Sequence, residues 1–115
     1  MIKMAYIATP YSDPNDQVHQ LRYHQACWAA KELKHDFIVY SPIAHWHPIA
    51  VSEGMPTDAE FWKTQNEGMM QRCDVIIVIQ FEGWVGSKGV AMEIKYAKEN
   101  NKELIYINPI QWETV

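Results

Sequence analysis

Four short stretches of the chain are apolar almost without a break, and the segments between them carry apolar residues at wider, helical spacing. Met4-Ala5-Tyr6-Ile7-Ala8, the run over 36–40, Val75-Ile76-Ile77-Val78-Ile79 and the run over 103–107 read as buried strands. Between the first two, Val18, Leu21, Ala26, Ala29, Ala30 and Leu33 recur at the helical period, which predicts a helix over 15–34 entered through Asp13-Pro14. Thr57-Asp58-Ala59-Glu60 has the form of a capping box and predicts a helix running to about Arg72. A last helix should follow Ser87 and end near Asn100. Residues 43–56 show no clean period and are expected to form a long loop with a turn of helix.

The predicted order is therefore β-α-β-loop-α-β-α-β. Alternation of this kind, with strands apolar on both faces, specifies a single-domain, doubly wound parallel sheet of four to five strands, Rossmann- or flavodoxin-like, with helices on both faces. Such sheets bind ligands beyond the carboxyl ends of their strands, where the strand order reverses. The polar, irregular segments 9–13, 41–48 and 80–87 all follow strands, so they should meet at one edge and form one pocket.

Within the third of these segments, Gly83-Trp84-Val85-Gly86-Ser87-Lys88-Gly89-Val90 links a buried strand to a helix start. Backbone N–H groups at such a turn lie at the positive end of the helix dipole and can hold an anion. Glu93 stands one turn beyond Gly89, on the same helix face, so its carboxylate can reach the cleft that the loop lines. An anion cradle under a carboxylate suggests chemistry on a phosphorylated or sugar-bearing small molecule.

Composition narrows the partners. The 115 residues suffice for one core, and 48% apolar with 21% charged residues is the balance of an ordinary globular domain. A formal charge of −4 with ten scattered Lys and Arg argues against a polynucleotide partner. Cys27 and Cys73 have no CxxC partner and read as buried, reduced thiols. No signal peptide is visible and no apolar run approaches the roughly 20 residues of a membrane helix, so a cytoplasmic protein without membrane attachment is expected. His45 and His47 would share a face if the segment were extended, but no cysteine stands near and Pro48 follows, so no metal site is assigned.

Taken in order, Tyr6-Ile7-Ala8-Thr9-Pro10-Tyr11-Ser12, Ser41-Pro42-Ile43-Ala44-His45, and Asp74 followed by Gly83-Trp84, Ser87, Gly89 and Glu93 make a chain that resembles the nucleoside 2-deoxyribosyltransferase-like superfamily. Within it the sequence looks like a small bacterial and phage branch of unknown function. The resemblance implies that Glu93 attacks the anomeric carbon of a nucleoside or nucleotide, that Tyr6 orients it and that Asp74 helps hold the pocket. It also implies that Ser87, six residues before the glutamate, binds a 5′-phosphate. Where Ser87 stands, the nucleoside-transferring branch has an aspartate; a neutral hydroxyl suits a phosphate better, because like charges repel.

Around this set, Gly86, Gly89 and Val90 are expected to offer phosphate-binding amides, while Pro10, His45 and Trp84 line the substrate. The reading is an N-glycosidic hydrolase or transferase that acts on a nucleoside 5′-monophosphate or deoxynucleotide with net retention and without any cofactor. The rival is a nucleotide-sensing module that keeps the pocket without turnover. Relatives imply a homo-oligomer in which a neighbouring subunit completes the pocket.

Overall fold

The computed structural model describes residues 1–113. Four strands, β1 (Met4–Ala8), β2 (Ile38–Tyr40), β3 (Val75–Ile79) and β4 (Glu103–Ile107), form one parallel sheet in the order β2-β1-β3-β4. Four α-helices accompany them: α1 (Asp16–Leu33), α2 (Pro42–Glu53), α3 (Ala59–Arg72) and α4 (Lys88–Glu99), with a short 3-10 turn over Pro109–Trp112. The chain winds outward from β1 to β2 and then crosses back to β3 and β4. The strand order therefore reverses between β1 and β3, and a crevice must open beyond their carboxyl ends.

Side chains alternate across the sheet and define two cores. Ala5, Ile7, Val75, Ile77 and Ile79 face Ala29 and Leu33 of α1, with Phe81, Trp28 and Trp112 closing that side. Tyr6, Ala8, Ile76 and Val78 face Met70 at the end of α3 and Val90 and Ala97 of α4. All five residues of β3 are buried, which accounts for its unbroken apolar run. Cys73 lies in the second core, whereas Cys27 is only half-buried; both are free thiols. Among the described residues no helix is long and apolar enough to cross a membrane.

Three expectations need correction. Residues 42–53 form a regular helix rather than a loop. Its signals are local: Ser41 caps it by accepting the Ala44 N–H at 3.1 Å, Pro42 occupies the first turn, and Gly54 ends it at φ 63°. Pro48 forfeits one internal hydrogen bond, and the period is blurred because His47, Trp46 and Ile43 face a cleft rather than the main core. Helix α3 is capped by Asp58, whose carboxylate accepts the Phe61 N–H at 3.1 Å, so Thr57 is not the cap. Finally, β2 is three residues long; 36–37 form the turn out of α1, with the Phe37 N–H donating to the Leu33 carbonyl at 3.0 Å.

Candidate functional site

Helix α4 starts at the mouth of the crevice. Ser87 caps it, its hydroxyl accepting the Val90 N–H at 3.2 Å and its carbonyl the Ala91 N–H at 3.0 Å. Among the described residues the amides of Lys88 and Gly89 have no partner. One turn on, Glu93 is only 6% exposed. The fully buried Tyr6, on the central strand β1, donates its phenolic hydrogen to Glu93 Oε2.

Burial pushes the Glu93 carboxyl up to about 8, and the Tyr6 hydrogen bond offsets part of that rise. Burial, together with the carboxyl beside it, holds the Tyr6 phenol well above its ordinary value, so it remains a donor. The arrangement is a carboxyl group with one oxygen pinned from behind, at the edge of a cavity.

That cavity occupies about 570 Å³, its open mouth included. It is built where three helix N-termini converge: Pro42 and Ile43 of α2, Asp58 and Ala59 at the start of α3, and Ser87 and Gly89 at the start of α4 all line it. Among the described residues no Lys or Arg side chain does, so the helix ends supply the positive partial charges there, set against the carboxyls of Asp58 and Glu93. An aromatic wall is made by Trp46 and Trp62, with ring centroids 4.8 Å apart. The indole N–H of Trp46 is buried with no hydrogen-bond partner among the described residues. Thr9 Oγ1, at the carboxyl end of β1, and Asn66 Oδ1 of α3 are buried with no partner, and both residues line the cavity. Orphaned polar atoms of this kind are rare in native folds, and these two are free to bond water or a ligand in the cavity.

The opposite wall belongs to the segment after β1. Ser12 Oγ donates to the Thr57 carbonyl at 2.9 Å, and Arg22 Nη1 donates to the Ser12 and Tyr11 carbonyls at 2.9 and 3.3 Å. These bonds fix Tyr11, whose ring stacks on His19 at 4.8 Å and whose hydroxyl meets His47 Nδ1 at 2.5 Å. Arg22 also lies against Gly83, where an added Cβ would come within 2.6 Å of its guanidinium; the residue's φ of 93° independently favours glycine.

The structure thus unites Glu93, Tyr6, Ser87 and Gly89 and leaves the other expected residues elsewhere. Asp74 sits at the amino end of β3, the edge opposite the cleft, where it accepts the Met4 N–H at 2.8 Å and returns its own N–H to the Met4 carbonyl at 2.8 Å. It clasps β1 to β3 and does not line the pocket. Val90 is a core side chain whose amide is committed to Ser87, and Gly86 lies outside the lining. Pro10 is buried behind the wall. His45 packs on Tyr40 and Trp46, and Trp84 on Tyr106, neither of them over the cleft. Because 42–53 is helical, His45 and His47 point about 200° apart and share no face. No group of three His, Cys, Asp or Glu among the described residues is placed to hold a metal ion.

Segments 9–13 and 41–48 meet at the cleft as their positions after strands predict, bringing Thr9, Tyr11 and His47 to it, whereas Trp62 and Asn66 reach it from α3, which no signal in the sequence places there. Asp58 both caps α3 and lines the cleft. The available signal for the aromatic pair was weak: Trp46 and Trp62 lie on different helices, and only the tertiary fold stacks them.

None of the curated proteins matches this chain. One family pattern covers residues 3–108, a stretch that includes every strand and helix of the sheet and every residue of the cleft. The chain belongs to the family described as a domain of unknown function, DUF1937.

Proposed function

We propose that this protein cleaves the N-glycosidic bond of a nucleoside 5′-monophosphate or deoxynucleotide, with Glu93 as nucleophile, in the manner of the nucleoside 2-deoxyribosyltransferase-like superfamily. The observation that carries the reading is the buried Glu93 carboxyl, held by Tyr6 at the edge of a cleft beside a helix N-terminus. A carboxylate can form a glycosyl ester at C1′ and lose it again to water or to a second base, giving net retention. The Lys88 and Gly89 amides suit the 5′-phosphate, and the Trp46–Trp62 wall offers a flat apolar surface for the base.

The experiment that tests this is a chromatographic assay for free base after incubation with pooled ribo- and deoxyribonucleoside 5′-monophosphates, with and without an acceptor base. Base release without an acceptor identifies a hydrolase, and release that requires one identifies a transferase. Among nucleotide-binding proteins the rival reading is a sensing module without turnover. One observation favours it: no cation lines the cleft to draw Glu93 into its ionised, nucleophilic form. A nucleotide that raises the melting temperature with no base released from any member of the pool would establish the sensor.

Tyr6 supplies a finer test. Its hydroxyl stabilises the Glu93 carboxylate, so Tyr6→Phe should push the carboxyl still higher. A nucleophile must be ionised, and kcat/KM should therefore climb with pH toward a plateau above about 8 in the wild type. In Tyr6→Phe the same limb should move to higher pH, with the plateau rate less affected than the rate at pH 7. An unchanged limb would show that the phenol does not govern the carboxyl.

A further inference from the structure

When water or a second base resolves a glycosyl ester on Glu93, that nucleophile loses a proton, and Glu93, being esterified, cannot take it. The second wall of the cleft holds a group able to do so. His47 is 7% exposed and lines the cleft together with Tyr11. Its two ring nitrogens are both engaged: Nδ1 with the Tyr11 hydroxyl at 2.5 Å, and Nε2 with Gln20 Oε1 at 3.1 Å. Gln20 Nε2 in turn donates to His24 Nε2 at 3.2 Å, which leaves Oε1 as the acceptor and places the imidazole hydrogen on Nε2. His47 Nδ1 is then a bare acceptor, and Tyr11 donates its hydrogen to it.

The pair is rigidly mounted. The His47 ring stacks on Tyr23 at 4.6 Å, the Tyr11 ring on His19 at 4.8 Å, and the His19 Nε2 accepts the Asp13 N–H at 3.0 Å. Burial and the neighbouring His19 and His24 imidazoles lower the His47 proton affinity, so the ring rests neutral, as an acceptor. A Gln–His–Tyr chain ending in a cavity has no evident need in a purely structural wall, where apolar packing of α1 on α2 would suffice.

We propose that Tyr11 and His47 form a proton relay for the resolving step, an inference that rests on Glu93 being the nucleophile. Water attacks C1′ as the bond to Glu93 Oε breaks and returns its electron pair to the carboxylate. The proton shed by the water passes to Tyr11 Oη while the Tyr11 proton passes to His47 Nδ1. The imidazolium then returns its proton by the same route to the nucleobase that departed as an anion, and the relay ends neutral as it began. In base transfer, the acceptor base loses its N–H proton along the same path.

The test compares the full-length wild type, Tyr11→Phe, His47→Gln and Glu93→Gln on the nucleoside 5′-monophosphate pool. Rapid-mixing kinetics follow base release, and intact-mass spectrometry follows the protein. Removing a positioned acid-base group typically costs about 10²–10⁴-fold in rate. Tyr11→Phe and His47→Gln should therefore keep a stoichiometric burst of base, accumulate a glycosyl adduct on the protein and turn over on the order of 100-fold more slowly. Azide, an anionic nucleophile with no proton to lose, should restore their turnover.

Burst and turnover falling together, no response to azide, or an unchanged turnover would each overturn the relay while leaving Glu93 as nucleophile. A wild type that releases no base would overturn both. Should a variant fail to fold, nitrogen-15 shifts of the wild-type His47 ring decide the matter. A hydrogen on Nε2 and a bare Nδ1 is the expected state, and the reverse tautomer overturns the relay.

Discussion

Replacing Glu93 by glutamine is expected to lower base release by at least about 10⁴-fold, whichever nucleotide proves to be the substrate, because an amide cannot form the glycosyl ester. The substitution is nearly isosteric, and the glutamine carbonyl can still accept the Tyr6 hydroxyl that now bonds Oε2. The cleft should keep its shape, so ligand binding, read by thermal shift, should survive the loss of turnover. A parallel loss of binding and turnover would indicate a collapsed pocket, and full activity would remove Glu93 from the chemistry.

The same substitution should stabilise the protein above about pH 5. Glu93 titrates near 4.5 when unfolded and about 8 when folded. Below pH 4.5 both states are protonated and the buried neutral carboxyl imposes no penalty. Between 4.5 and about 8 the unfolded chain has released a proton that the native state retains. Each pH unit in that window then removes about 1.4 kcal/mol of stability, until the native carboxyl ionises and the loss levels off. Over the whole window the sum is on the order of 5 kcal/mol, comparable with the entire stability of many small domains. The difference in unfolding free energy between Glu93→Gln and wild type should thus grow from near zero at pH 4.5 to its maximum at pH 8. Denaturant titrations of both proteins at a series of pH values measure it directly; a difference that stays flat would mean that the native carboxyl is ionised throughout.

What could be read from the sequence was whatever depends on neighbours along the chain. The strands declared themselves because β3 is buried on both faces, and Glu93, Gly89 and Ser87 because they share one turn and a half of a single helix. Only the family resemblance points to Tyr6, which lies on β1 behind the carboxyl. Helix α2 escaped because His47, Trp46 and Ile43 face a cleft, so no apolar stripe appears, even though Ser41-Pro42 and Gly54 bracket it. The Tyr11–His47 contact spans 36 residues and the Trp46–Trp62 wall joins two helices, so neither leaves a local trace. Asp74 shows a different failure. A parallel sheet sends the start of every strand to the edge opposite the ligand crevice, and topology alone could have removed it from the pocket.

The convergence of three helix N-termini in a cleft without a Lys or Arg bears on how fast an anion can arrive. Helix ends act as partial charges whose pull fades within about a turn, whereas the net charge of −4 reaches out over a Debye length of about 8 Å at physiological salt. A phosphorylated ligand is therefore repelled during its approach and attracted only once it has nearly docked. Added salt should accelerate its association and leave its dissociation almost unchanged, the opposite of what a basic pocket would show. Stopped-flow binding of a nucleotide and of the matching uncharged nucleoside at low and high ionic strength would separate the two, since only the nucleotide should respond.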